Sequence, residues 1–145
     1  MSKNYYSLGL MSGTSMDGVD ASIIYSDGTS KYKAILNKYF VYNEDFYQDL
    51  TSLRDKINSS KDLKRLSNDL KSIEKEITLF HAKVVNELIR ESNVDIDFIG
   101  FHGQTIFHNA DEKISRQLGD GKLLSQLTKK TVVYDFRQND LKNGG

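Results

Sequence analysis

Apolar residues fall into blocks whose spacing changes along the chain, and each spacing predicts a different element. Tyr5 to Met11 is a nearly continuous apolar run, the pattern of a buried strand. A turn of small and hydroxylated residues follows, and a second run resumes from Ala21 to Tyr25. Asp27-Gly28-Thr29-Ser30 is a turn. Lys31 to Val41 alternates in part and predicts a third antiparallel strand. The spacing then becomes helical. Phe46, Leu50, Leu53 and Ile57 share one face of a helix capped near Asn43, and Ser59-Ser60 interrupts it. Leu63, Leu66, Leu70, Ile73, Ile77, Phe80, Val84 and Leu88 recur at intervals of three and four. They predict one helix from Lys61 to Glu91, ~45 Å long at 1.5 Å per residue. Leu79, Val85 and Ile89 widen its stripe beyond a coiled-coil seam, which favours packing across a sheet.

Asn93 to Asp97 is a polar loop leading into Phe98-Ile99-Gly100-Phe101, a short buried strand that a long crossover helix would place parallel to an earlier one. Ser115 to Leu118 predicts a short strand, Gly119-Asp120-Gly121 a turn, Lys122 to Lys129 a short helix, and Thr131 to Tyr134 a final parallel strand. The order is β-β-β-α-α-β-α-β plus a small insertion. This is an α/β lobe with a mixed sheet of about five strands and helices packed on it. No internal repeat divides the chain, so residues 1–145 read as one domain.

Composition narrows the partners more than the fold. The 145 residues are of single-domain size and bury about 70% of their unfolded surface on folding. Lys+Arg and Asp+Glu both number 20, a balance that argues against nucleic acid or an anionic membrane as partner. Cysteine is absent, which removes disulfides and thiolate metal sites. No apolar run approaches the ~18 residues of a membrane span, and no signal-peptide pattern opens the chain, so the expected location is cytoplasmic. Proline is also absent, and nothing in the pattern explains that. The chain stops on Asn143-Gly144-Gly145 with no closing helix or polar tail, as a piece of a longer protein would.

The chemistry concentrates in the turn after the first strand. Gly13, Thr14, Ser15, Met16, Asp17, Gly18, Val19 and Asp20 combine glycines, hydroxyls, a row of backbone N–H groups and two carboxylates. Converging N–H groups form an anion-binding nest, and a neighbouring carboxylate can hold Mg²⁺ directly or through water. That chemistry suits nucleotide phosphates. The turn is neither a Walker A loop nor a dinucleotide fingerprint, because it lacks Gly-Lys-Ser/Thr and the G-x-G-x-x-G spacing.

Ligands of open α/β sheets bind outside the carboxyl ends of strands, and two polar clusters fall there. His102-Gly103-Gln104-Thr105 follows Phe101, and Asp135-Phe136-Arg137 follows Tyr134. His102 reads either as a satisfied turn histidine or, beside Gly103 and Gln104, as a ligand contact. Arg137 reads equally as an ion pair with Asp135 or as a guanidinium presented to a carboxylate or phosphate. A metal set of His102, His108 and Asp111 matches no zinc spacing. His81, beside the apolar stripe of the long helix, reads as structural.

The strand, Gly-Thr-Ser-x-Asp-Gly turn and strand resemble the first phosphate loop of the actin, hexokinase and Hsp70 ATPase superfamily. The twelve residues from Gly9 to Asp20 look like the signature of the anhydro-N-acetylmuramic acid kinases. Three further segments resemble that family: Phe101 to His108, Gln117-Leu118-Gly119-Asp120-Gly121, and Asp135-Phe136-Arg137-x-x-Asp140 with Gly144-Gly145. The resemblance implies a ribonuclease H-like lobe. It implies ATP and Mg²⁺ as cofactors, and ring-opening phosphorylation of 1,6-anhydro-N-acetylmuramic acid in peptidoglycan recycling. The turn would hold the phosphates with Asp17 on the Mg²⁺ side. His102, Gln104, Asp135 and Arg137 would line the sugar side, Arg137 meeting the lactyl carboxylate.

Family members continue into a second lobe that carries the adenosine site and the aspartate general base, neither of which is in this sequence. The isolated chain is therefore expected to be folded, catalytically silent and prone to self-associate, for example as a homodimer. Two readings stand beside this one: a non-catalytic remnant or binding module, and another sugar kinase of the same superfamily.

Overall fold

The computed structural model describes residues 4–27 and 31–134. The first three apolar blocks form a meander: β1 (Tyr5–Ser12), β2 (Gly18–Ser26) and β3 (Tyr32–Val41). β1 pairs antiparallel with β2 (Leu8↔Ile23, Leu10↔Ala21), and β2 pairs antiparallel with β3 (Val19↔Phe40, Ile23↔Leu36). The helices α1 (Glu44–Asp55), α2 (Ser60–Arg65) and α3 (Ser67–Ser92) then carry the chain across the sheet. β4 (Phe98–Asn109) returns parallel to β1, with Leu8 opposite Ile99 and Leu10 opposite Phe101. β5 (Ile114–Leu118), α4 (Gly121–Thr128) and β6 (Thr131–Tyr134) complete the described residues.

Strand β4 pairs with three other strands. One of its edges pairs with β1; the other takes β6 at Phe98 to Phe101 and β5 from Gln104 to Asn109. The sheet order is β3-β2-β1-β4-β5, with β6 also on β4. The α/β class and the mixed sheet with packed helices agree with expectation. The sheet has six strands instead of about five, because the segment read as a small insertion, β5, hydrogen-bonds to β4.

The period-2 alternation sends Leu8, Leu10, Val19, Ala21, Ile23, Ile99 and Phe101 to one face, all at 3% exposure or less. Against them pack Leu70, Ile77, Val84, Val85 and Leu88 of α3 and Leu124 of α4. The wide stripe of α3 therefore lies on the sheet and forms no coiled coil. The opposite face, with Met11, Asp20, Tyr39 and Val133 exposed, carries no helix among the described residues.

Local signals at the first helix hold. Asn43 caps α1 by accepting from the Phe46 N–H at 2.8 Å, which satisfies one of the orphan donors of a helix start. The single helix expected from Lys61 to Glu91 is broken at Leu66, whose φ of −100° and ψ of 20° leave the helical region. The short α2 buries none of its residues, whereas Leu66 itself is only 7% exposed. The break turns that side chain into the core and lets α3, ~39 Å long, lie across the strands.

Candidate functional site

The turn between β1 and β2 stands exposed at the end of the sheet. It is closed by the Met16 N–H donating to the Gly13 carbonyl at 3.1 Å, with Met16 in the left-handed region at φ 61°. Gly13, Thr14, Ser15, Asp17 and Asp20 are exposed. Met16 and Val19 turn their side chains into the core, at 2% and 0% exposure, and offer the site only their backbone. Thr14 and Ser15 present their hydroxyls, and among the described residues their backbone N–H groups have no hydrogen-bond partner. Solvent-facing N–H groups in a turn are the chemistry an anion requires.

Asp17 is held in place from three directions. The Tyr39 hydroxyl donates to its Oδ1 at 2.5 Å, and Ser15 Oγ donates to the same oxygen at 2.8 Å. The Tyr42 N–H fixes the Asp17 main-chain carbonyl at 2.9 Å. Tyr39, then Ser15, hold the carboxyl below its ordinary value, because both bonds favour the charged form. The same bond, aided by partial desolvation, pushes the Tyr39 hydroxyl up to about 12. Gly18 lies directly against Tyr39. A Cβ there would sit 2.7 Å from the phenol ring and 2.3 Å from the Phe40 carbonyl oxygen, so only glycine allows this approach.

Behind the turn lies a buried polar cluster drawn from four elements or their ends. Gln104 of β4, fully buried, donates from Nε2 to the Gly13 carbonyl at 2.9 Å. Its Oε1 accepts from the Tyr42 hydroxyl at 3.4 Å. Ser12 Oγ lies 3.3 Å from both the Tyr42 hydroxyl and His81 Nε2. His81 Nδ1 donates to the Ile77 carbonyl at 2.7 Å, so Nε2 is the acceptor that faces Ser12. Burial raises the Tyr42 hydroxyl to about 12.

The fate of Gln104 turns on Gly103. On β1, Leu10 and Ser12 are two residues apart, yet their β4 partners Phe101 and Gln104 are three apart. Gly103 is the extra residue of this bulge, at φ 79°. Without it His102 and Gln104 would share a face. With it, Gln104 points under the turn among the helices, and His102 stays half-buried on the open face. His102 there lines a shallow depression of about 390 Å³ with Gly9, Met11, Asp20, Ser22 and Gly100.

The structure thus brings Gly13, Thr14, Ser15, Asp17 and Gln104 together at the turn. It sets His102 apart with Asp20 on the open face. Neither His102 nor Gln104 follows a strand end, because β4 runs on through both to Asn109. Asp135 and Arg137, like the turn residues Gly28 to Ser30, lie outside the described residues. In the Gln117 to Gly121 segment, Asp120 caps α4 by accepting from the Leu123 N–H at 3.0 Å. Ser12, Tyr39, Tyr42 and His81 are the contributors that sequence reading left out of the site. Only Tyr39 left a signal, since strand alternation puts it on the same face as Asp20, its partner across β2 and β3.

His81 makes the site's support sensitive to acid. Burial holds its imidazole down at about 4, against an ordinary 6.5, with the Ile77 bond opposing the shift. The unfolded chain binds the proton first, so stability is complete above pH 6.5 and falls as pH drops toward 4. Between pH 7 and 5 this group alone removes about 2 kcal/mol. Urea midpoints at the two pH values measure it, and the pH dependence should shrink in His81→Leu.

A family model described as anhydro-N-acetylmuramic acid kinase matches residues 5–145. Over 145 residues the chain is 63% identical to the protein of that name from Pelagibacter ubique, covering all of this chain and 39% of the relative. It is 38% identical over 141 residues to the one from Agrobacterium fabrum, and 37% identical to the one from Brucella canis. In both cases 95% of this chain aligns with 38% of the relative. The chain therefore spans less than two fifths of the length of these relatives. No helix among the described residues is long and apolar enough to cross a membrane.

Proposed function

Because the chain belongs to the anhydro-N-acetylmuramic acid kinase family, we propose that it is the phosphate-holding lobe of an ATP-dependent sugar kinase. The reaction proposed is ring-opening phosphorylation of 1,6-anhydro-N-acetylmuramic acid. Water adds at the anomeric carbon as its bond to O6 breaks, and O6 takes the γ-phosphoryl group, leaving ADP and N-acetylmuramic acid 6-phosphate. The anhydro sugar is a product of peptidoglycan turnover, which fits a cytoplasmic recycling enzyme.

The observation that carries the reading is the turn itself. Unpartnered Thr14 and Ser15 N–H groups and their hydroxyls stand beside an ionised Asp17. A carboxylate beside a phosphate cradle is repulsive unless a cation sits between them, so the donor set fits Mg²⁺-nucleotide better than a bare anion. Magnesium, when bound, neutralises phosphate charge and orients the transferring group. Thr14 binds phosphate oxygens through its N–H and hydroxyl, Ser15 through its N–H while its hydroxyl donates to Asp17, and Asp17 holds the cation side. Gln104 acts from beneath by fixing the Gly13 carbonyl, since phosphoryl transfer depends mainly on positioning and charge neutralisation. His102, with Asp135 and Arg137, is assigned to the sugar on motif resemblance. The adenosine site and general base belong to a second lobe, as in the family.

The test incubates full-length protein with ATP, Mg²⁺ and the anhydro sugar in ¹⁸O-water. Mass spectrometry should show a product gaining one phosphoryl group and one labelled oxygen. An unlabelled phosphorylated sugar would mean transfer without ring opening, and no sugar product would overturn the reading.

A further inference from the structure

Two side-chain donors converge on one oxygen of Asp17 and none on the other among the described residues. Tyr39 and Ser15 both donate to Oδ1, while Oδ2 has no side-chain donor among the described residues. A carboxylate with a free oxygen would ordinarily rotate about its χ angles and share its hydrogen bonds between both oxygens. Here the rotation is stopped by a rigid partner. Tyr39 sits two residues before the end of β3, paired with Asp20 of β2, and its ring rests against the backbone of Gly18. Its hydroxyl position is therefore set by the sheet, and that sheet also carries the turn. Ser15, within the exposed turn, supplies the second bond but has no comparable anchor.

We propose that Tyr39 is a positioning residue for cation and nucleotide binding: it pins Oδ1 of Asp17 so that Oδ2 is presented to the cation accompanying the phosphates. The inference rests on the reading of the turn as a Mg²⁺-nucleotide site, and extends that site to a side chain on a different strand. Tyr39 touches neither phosphate nor sugar and acts only through Asp17. Holding the carboxylate in its binding rotamer before the ligand arrives removes an ordering cost that binding would otherwise carry. A phenol suits this role because, once anchored, it has few rotamers to lose. Its bond to a carboxylate is of the charge-assisted kind, which is short and strong.

Tyr39→Phe removes the hydroxyl and keeps the ring against Gly18, so the fold is retained. The test is a double-mutant cycle with Asp17→Asn in the full-length protein, read by calorimetric titration with Mg·ADP and requiring no turnover. Tyr39→Phe should weaken Mg·ADP binding about 5- to 10-fold in the parent and less than 2-fold in the Asp17→Asn background. Thermal midpoints of parent and Tyr39→Phe should agree within a few degrees. Parent-like affinity in Tyr39→Phe, or an equal loss in both backgrounds, would overturn the proposal while leaving the turn's assignment intact. If Asp17→Asn itself bound Mg·ADP as the parent does, the assignment of the turn would fail first, and the role of Tyr39 with it.

Discussion

Asp17→Asn in the full-length protein is expected to lower kcat for sugar phosphorylation by on the order of 10²- to 10³-fold, the range seen when one group stabilising transition-state charge is removed. The substitution is nearly isosteric, and the side chain is exposed. The amide can keep its oxygen toward Tyr39 and Ser15, so the turn retains its shape. What disappears is the negative charge on the atom facing the ligand. Folding should be almost unaffected, because no core contact is lost and surface changes usually stay within about 0.5 kcal/mol. The informative measurement pairs steady-state kinetics over a Mg²⁺ series with a thermal melt. A parent-like kcat, or a collapse of the melting temperature that accounts for lost activity, would contradict the assigned role.

The second large effect is expected at Gly103, a position with no direct ligand role. Gly103→Ala must hold an L side chain at φ 79° and place its Cβ 2.7 Å from the Leu118 carbonyl oxygen. The backbone conformation alone costs about 1–2 kcal/mol, and the clash with a neighbouring strand adds about 1–3 kcal/mol more. A total near 3 kcal/mol is a large share of the stability of a domain this size. Relief by straightening the bulge would be worse. It would swing Gln104 from under the turn to the open face, leaving the Tyr42 hydroxyl and the Gly13 carbonyl each short of one buried partner. Urea unfolding should show the drop in midpoint, and Mg·ADP titration should show weakened binding in whatever fraction remains folded. A variant as stable as the parent would mean that the bulge is not under the constraint described.

These two residues mark the boundary of what the sequence made legible. Strand and helix identities followed from the apolar pattern, since Tyr5 to Met11 is a nearly continuous apolar run, Lys31 to Val41 alternates in part and the stripe from Leu70 to Leu88 keeps helical spacing. Asn43 was readable as a cap because its chemistry is local. The break at Leu66 was not, since the stripe runs through it unbroken and no glycine or proline marks it. β4 looked four residues long because its apolar run stops at Phe101, yet it continues beside β1 to Gln104 and beside β5 from Gln104 to Asn109. For the site, Asp17 and its neighbours were legible because a turn's chemistry is contiguous in sequence. The support was not. Whether Gln104 faces outward or inward depends on one extra residue in the ladder, and Tyr39 meets Asp17 only once β2 and β3 have paired. His102 and Gln104, both expected to line the sugar side, lie on opposite faces of the sheet because of that single bulge.

The parallel pairing of β1 with β4 also sets a timetable. β1, β2 and β3 are joined by short connections, so the turn from Gly13 to Asp17, with Tyr39 across from Asp20, belongs to a unit that can assemble locally. Gln104 is 91 residues away from the carbonyl it holds. It arrives only after α1, α2 and α3 have packed and the crossover has closed, the kind of long-range contact that slows folding. On the ribosome, the turn between β1 and β2 therefore leaves the exit tunnel long before its anchor has been synthesised. Until β4 docks, a nascent chain carries the turn without the Gln104 bond that holds its Gly13 carbonyl.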